Sequence, residues 1–277
     1  MAWIKFKDPM GKEFTVPESV FKNMFAGNSA FTLVQESKPA PEKKEEKKTK
    51  AVRPRKKFGV VTVATGDGLI NTFKELGVDE VIDGGQGKNP SIETFINAFE
   101  SLDAEHIFVL PNNGNIILAA EQSAEIYDKA KIHVIPAKNI GAGYVAVSSA
   151  DLVSAPSPEE IIETMTEAIA RISTGYVSPA IRDAEINGVH ITNGDTIGII
   201  EKEIVISKPE KLDAIFGLVE KILLSEDKAM LTIFYGNDST EEERIAISDY
   251  LCEKFPTVEF YFIEGNQEIS AYIFVAE

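Results

Sequence analysis

The sequence predicts an α/β protein with two α/β lobes, a parallel βαβ lobe followed by a mixed α/β lobe, and a small ββαβ module ahead of them. Three observations carry this. From residue 58 to 135, short β-branched and aromatic runs alternate with longer amphipathic runs, the pattern of βαβ units and a parallel sheet. Beyond residue 172 the punctuation changes to Asn187-Gly188 and Asn193-Gly194, which signal hairpins and antiparallel strands. Residues 37–57 hold Pro, Lys, Glu and Ala with almost no large apolar side chain, and so divide the chain. The expected domains are a module over 1–35, a flexible charged linker over 36–57, a parallel lobe over 58–155 and a mixed lobe over 156–277.

In order, Trp3–Lys7 alternates as a strand, Asp8–Gly11 turns, and Glu13–Val16 returns. Pro17–Phe25 reads as a short helix and Ala30–Val34 as a last strand. Strands follow at Phe58–Ala64, Glu80–Asp83, His106–Leu110 and Lys131–Ile135, with helices at Leu69–Leu76, Ser91–Ser101 and Asn115–Lys129. After a proline-flanked break at Ala155–Pro158, Glu159–Ile172 has the acidic first turn of a helix. Gly175–Asp183, Val189–Ile191, Thr196–Ile200 and Glu203–Ser207 form an antiparallel set. Helix Glu210–Leu224, strand Met230–Tyr235, helix Thr240–Phe255 and strands Val258–Ile263 and Tyr272–Ala276 complete a second α/β unit. Ser239 or Thr240 is the natural cap of its last helix.

The 277 residues carry a net charge of −16, unevenly spread. Residues 36–57 hold ten Lys/Arg against four Asp/Glu, or +6, which leaves −22 for the rest. An acidic body argues against a nucleic-acid surface. No apolar run is long enough to span a membrane and the N-terminus lacks a signal-peptide layout, so no integral membrane segment is expected and the cytoplasm is the default. One cysteine, Cys252, rules out an internal disulfide and reads as a buried small hydrophobe. With only His106, His133 and His190 beside it, no metal-ligand spacing exists, and no cofactor is expected. His106 and His133 read as structural.

Two loops stand out. Glu80–Ile82 ends in Gly84-Gly-Gln-Gly-Lys-Asn-Pro-Ser91, and Ile107–Leu110 ends in Pro111-Asn-Asn-Gly-Asn115. In a parallel sheet, ligands sit outside the carboxyl ends of the strands. Those ends carry Thr65-Gly66, Gly84–Gln86, Pro111–Asn113 and Pro136–Lys138, so four loops should converge. The candidate partner- or ligand-binding residues are Gly84, Gly85, Gln86, Asn89, Ser91, Asn112, Asn113 and Asn115, with Arg182 as an anion or carboxylate clasp. Amides both donate and accept hydrogen bonds and do not titrate near neutral pH, so they suit recognition. Each position has a plain alternative: Asx turns for the asparagines, a helix cap for Ser91, an ion pair with Asp183 or Glu185 for Arg182. Ser173-Thr174 reads as a turn before Gly175. No Ser/His/Asp or Cys/His arrangement is defensible.

Gly84–Ser91, Leu110-Pro-Asn-Asn-Gly-Asn-Ile-Ile-Leu-Ala-Ala-Glu-Gln122 and Thr174-Gly-Tyr-Val-Ser-Pro-Ala-Ile-Arg-Asp183 together resemble the C-terminal region of the fatty acid kinase A proteins, a bacterial DAK2-domain family, in one order from about Phe58 to Glu277. The resemblance implies a DegV/DAK-like fold. In that family an N-terminal domain binds ATP and magnesium through an Asp-Gly-Asp-Thr-Gly type cluster, and a similarity starting near residue 58 leaves no room for it. Asn193–Gly198 and Thr65–Gly68 look superficially like that cluster, but each offers one carboxylate where magnesium–phosphate chemistry wants several. They read as a hairpin turn and a strand-to-helix turn.

The resemblance further implies a non-catalytic component that docks a DegV-type fatty-acid-binding protein for acyl phosphate formation in phospholipid synthesis, working with a separate kinase domain, with a homodimer as an option. The competing classes are a binder of lipid or of a small polar or phosphorylated ligand, and a structural fusion, since residues 1–35 faintly resemble short phage structural proteins.

Overall fold

The structure, a computed structural model, describes residues 3–7, 13–17, 32–36, 55–85, 87–155, 157–225 and 228–277. The chain divides into two compact units, Met1–Pro54 and Arg55–Glu277. In the first, strands β1 (Trp3–Lys7), β2 (Glu13–Pro17) and β3 (Thr32–Glu36) form an antiparallel sheet in the order β2-β1-β3. The helix expected at 17–25, the turn at 8–11 and linker residues 37–54 lie outside the described residues.

The second unit holds two sheets. β4 (Lys56–Ala64), β5 (Glu80–Asp83), β6 (Ala104–Leu110) and β7 (Lys131–Val134) make a parallel sheet in the order β5-β4-β6-β7. Its connections are α1 (Asp67–Glu75), α2 (Ile92–Ser101) and α3 (Ile117–Ile126). β4 begins at Lys56 rather than Phe58, because Lys56 pairs with Ala104 and Arg55 donates to the Ala104 carbonyl at 2.7 Å. Two more helices, α4 (Ile140–Ser149) and α5 (Pro158–Ala170), lead to the mixed sheet. That sheet runs β12-β11-β8-β15-β13-β14, built from β8 (Ser173–Pro179), β11 (Thr196–Ile200), β12 (Glu203–Lys208), β13 (Met230–Tyr235), β14 (Glu259–Glu264) and β15 (Tyr272–Ala276). Within it, only β13 and β14 pair in parallel. Helices α6 (Lys211–Ser225) and α7 (Glu241–Lys254) cover its far side.

The alternation of side chains along each strand fixes a five-layer stack. Val61, Val63, Ile107 and Val109 face α2 and α3, while Val60, Ala64, Phe108 and Leu110 face α1, α4 and α5. Phe234 and Val275 of the mixed sheet face the same three helices from the opposite side. Leu231, Ile233, Tyr272 and Phe274 face α6 and α7. The two lobes therefore share one helical layer between their sheets. Each fully buried Phe in it contributes about 1.5–3 kcal/mol of transfer free energy.

α4 has no counterpart among the helices expected from sequence. Its Ile-Gly-Ala-Gly-Tyr-Val-Ala-Val run has low helix propensity and no apolar stripe, because both sides are buried. The glycines are required by close approach. A Cβ on Gly143 would lie 1.9 Å from Asn112 Oδ1, and one on Gly141 would lie 2.6 Å from Thr174 Oγ1.

The antiparallel set also differs in detail. β9 (Ala184–Ile186) and β10 (Val189–Ile191) form a separate hairpin around Asn187-Gly188, both at positive φ. Asn193-Gly194 is a turn, but of the two only Gly194 has positive φ, and it joins β10 to β11, strands that do not pair with each other. β8 stops at Pro179, short of the Asp183 expected, so Arg182 lies in the following loop. Ser173-Thr174 is strand rather than turn. Cys252 is exposed rather than buried, since Leu251 is the residue of α7 that faces the core. Thr240 caps α7 in a full capping box with Glu243.

Candidate functional site

The carboxyl ends of the parallel strands, the start of α4 and the facing edge of the mixed sheet enclose a cavity of about 220 Å³. The parallel lobe supplies Thr65 after β4, Gly84 and Gly85 after β5, Pro111–Asn115 after β6, and Lys138–Ile140 ahead of α4. The mixed lobe supplies Thr174 and Tyr176 of β8, Glu201 and Lys202 of the β11–β12 turn, and Gln267, Ile269, Ser270 and Ile273 around β15. A backbone hydrogen bond from Leu69 N to Gly265 O (3.0 Å) ties the lobes together beside it.

Each side chain is set by local chemistry. Gly84 passes so close to Pro90 and the Lys88 carbonyl that a Cβ would come within 2.9 Å of both. Gly85 and Lys88 then exchange backbone hydrogen bonds at 3.1 and 3.2 Å, closing the loop. Asn112 sits in the left-handed region at φ 57, a conformation Asn tolerates. Its Nδ2 donates to Thr62 Oγ1 (2.8 Å) and the Val63 carbonyl (3.0 Å), locking the β6 loop onto β4. Asn113 Oδ1 accepts from Asn115 N at 2.9 Å, an Asx turn that delays α3 until Ile117. Asn139 caps α4 through Ala142 N at 2.8 Å. Along β8, Val177 packs toward α6, and alternation sends Thr174 and Tyr176 to the cavity side. Burial, then the Glu201 carboxylate, raise the Tyr176 phenol above its ordinary range.

Of the residues singled out from sequence, Gly84, Gly85, Asn112, Asn113 and Asn115 line this cavity. Asn89, Ser91 and Arg182 do not. Asn89 is exposed beyond the loop, and Ser91 caps α2 through Thr94 N at 3.2 Å. Arg182 is exposed and makes no ion pair with Asp183 or Glu185. Gln86 lies outside the described residues. Sequence reasoning missed Thr174, Tyr176, Lys202 and Gln267, whose place depends on how the mixed sheet faces the parallel one. The Thr174–Asp183 motif was the available signal. His106 and His133 stack away from the cavity, with Nδ1 and Nε2 2.9 Å apart. Among the described residues, no group of three or more His, Cys, Asp or Glu could hold a metal, and no helix is long and apolar enough to cross a membrane.

The family model for the C-terminal region of fatty acid kinase A-like (FakA-like) proteins matches residues 59–277. The chain belongs to that family. Protein YloV of Bacillus subtilis is 36% identical over 249 residues, covering 88% of this chain and 42% of that protein. An uncharacterized Staphylococcus epidermidis protein is 36% identical over 218 residues, covering 79% and 39%. The chain thus spans about two fifths of the length of these curated relatives.

Solved structures share the fold at low identity. The DegV lipid binding protein of Thermotoga maritima matches with a TM-score of 0.59 at 12% identity, covering 79% of this chain and 98% of that one. The Streptococcus pneumoniae fatty acid kinase B3 protein, loaded with linoleic acid, gives 0.55 at 12%, covering 80% and 99%. The dihydroxyacetone kinase of C. freundii gives 0.53 at 11%, covering 79% and 48%. This FakA-like family member therefore has the architecture of the DegV and dihydroxyacetone kinase folds.

Proposed function

We propose that this chain is a non-catalytic part of a fatty acid kinase system that docks a DegV-type fatty-acid-binding partner. The match to the FakA-like C-terminal family across both lobes carries the reading. Cavity size supports it against direct lipid binding. At about 220 Å³ the cavity is smaller than the ~300–1,000 Å³ of drug-sized sites, small for a long acyl chain. The acyl chain then belongs to the partner, and this chain contributes recognition. Its docking face is the rim around the strand ends, where Asn89, Asn115, Lys138 and Lys202 are exposed and Asn113 is half-buried. Asn112 contributes by shaping the loop, since its own side chain is buried.

Hydrogen–deuterium exchange on the full chain, with and without a DegV-type protein encoded in the same genome, tests the face. Protection is expected at 84–91, 111–116 and 200–203. Protection confined to α6 and α7 would place the docking face on the other side and sink this assignment.

A further inference from the structure

We propose that β14 is the seam of a homodimer, in which the edge strands of two copies pair antiparallel about Tyr261 and join two mixed sheets into one. The two large sheets end in four edges, β5, β7, β12 and β14. An open edge is a row of unpaired N–H and C=O groups, and monomers blunt such rows with short strands, bulges, lysines or cover. Three of the four edges are blunted. β5 and β7 are four residues long, and β7 opens on the exposed Lys131. β12 bulges at Val205, since Gly198 pairs with Ile206 and Ile199 with Ile204; it also ends on Lys208 and has β10 against it. β14 has none of these devices. Its Glu259-Phe-Tyr-Phe-Ile-Glu264 run is six residues in unbroken register with β13, without Lys, Pro or Gly, and its charges sit only at its two ends. Tyr261, in its middle, is 52% exposed.

The phase of the backbone fixes which groups are free. Glu259 N donates to Ala229 O and Gly265 N to Tyr235 O, both at 2.9 Å. Residues 259, 261 and 263 therefore turn their backbone groups toward β13, and Phe260, Phe262 and Glu264 turn theirs outward. The Glu264 carbonyl lies under the start of α1, where a Cβ on Gly68 would come within 2.1 Å of it. Phe260 and Phe262 remain. In an antiparallel pair, two outward-facing residues exchange both of their bonds. Phe260 of each copy then exchanges bonds with Phe262 of the other, four in all, and the two-fold axis falls at Tyr261.

This self-pairing matches charge as well as hydrogen bonds. A register setting Glu259 opposite Glu264 would pair an inward-facing with an outward-facing residue, so the phase forbids it. About Tyr261, Glu259 instead meets Ile263 and Glu264 meets Val258. The two Glu259 positions then stand about 13 Å apart along the strands, beyond the Debye length at physiological salt. The two Tyr261 rings meet as a non-hydrogen-bonded pair, the arrangement that brings side chains closest. Each Tyr261 hydroxyl already donates to Glu259 at 3.1 Å, so its polar end is satisfied when the rings pack. The seam uses none of the residues of the cavity rim, so its test is independent of partner docking.

Sedimentation velocity of the full chain tests it. One strand pair makes a small interface, so a monomer–dimer equilibrium with dissociation in about the micromolar range is expected. Tyr261→Lys places like charges on the axis and is expected to raise the dissociation constant at least about tenfold, with the melting temperature of the dilute chain unchanged. The register has its own readout. In a Cys252→Ser background, Tyr261→Cys sets two thiols across a non-hydrogen-bonded pair about 4.5 Å apart at Cα, within disulfide reach. Under oxidised glutathione it is expected to cross-link at least about tenfold faster than Glu259→Cys, whose two copies stand four residues apart. A chain that stays monomeric up to about 200 µM, well above that range, a dimer indifferent to Tyr261→Lys, or equal cross-linking at 261 and 259 would each overturn the proposal.

Discussion

Replacing Gly143 by alanine isolates the contact that holds the β6 loop against α4. Helix propensity alone predicts stabilisation, by about 1 kcal/mol for Gly to Ala in a helix interior. The structure predicts the reverse. The added Cβ would sit 1.9 Å from Asn112 Oδ1 and 2.5 Å from its Cγ, both far inside contact distance. Asn112 cannot yield cheaply, because its Nδ2 is bonded to Thr62 Oγ1 and the Val63 carbonyl and its backbone is fixed at φ 57. Overpacking of this kind costs about 1–3 kcal/mol. Displacing the amide strands buried polar groups at a further ~1–3 kcal/mol. Net of the propensity gain, Gly143→Ala should destabilise the chain by about 1–5 kcal/mol, read by urea denaturation with the slope held constant. In Asn112→Ala the clashing amide is gone, so the double variant should be more stable than the two single losses added together. A Gly143→Ala chain as stable as the parent, or strict additivity in the cycle, would refute this packing.

Other outcomes follow from the same structure. Burial, and then the neighbouring His106, depress the His133 imidazole below its ordinary value, so the unfolded chain binds the proton first. The resulting stability is fully present above pH ~6.5 and falls as pH drops below it. His133→Gln should flatten that acid slope in thermal melts, and an unchanged slope would discard the assignment. Glu201 is held at φ 55 in the two-residue turn between β11 and β12, so Glu201→Gly should stabilise by about 1 kcal/mol, and destabilisation would show that the turn is not strained. Thr240→Ala breaks the α7 capping box and should cost about 1 kcal/mol, with no loss counting against the cap. The purified chain should transfer no phosphate from Mg-ATP to a lipid or to dihydroxyacetone, and magnesium-dependent transfer would overturn the non-catalytic reading.

The parallel lobe was legible because each strand and helix in it carries one period of its own. Val60–Ala64 and Ile107–Leu110 are buried on both faces and read as near-continuous apolar runs, broken only by Thr62, and Phe95, Ala98 and Phe99 mark one helical face. α4 was not legible for the opposite reason. A helix packed between two sheets has no polar face to betray its period, and its glycines answer to Asn112 and Thr174, which are distant in sequence. Half of the cavity was readable as strand-end loops, since the rule that ligands lie beyond parallel strand ends needs no tertiary knowledge. The other half was not, because Thr174, Lys202 and Gln267 arrive by the order β11-β8-β15-β13, in which the last strand inserts between two earlier ones. Asn112 shows the limit of residue type as a guide. An amide in a glycine-rich loop suggested a surface contact, whereas its side chain is a buried clamp on β4.

Recognition of a fatty-acid-binding protein through the rim of the strand-end face is tested most directly by native mass spectrometry. The full chain is mixed with each DegV-type protein of the same genome, loaded with fatty acid. A stoichiometric complex with at least one of them is expected, lost when Lys138 and Lys202 are both changed to Glu in a chain that still melts like the parent. No complex with any of them, or a complex indifferent to that double charge reversal, would contradict docking through this face.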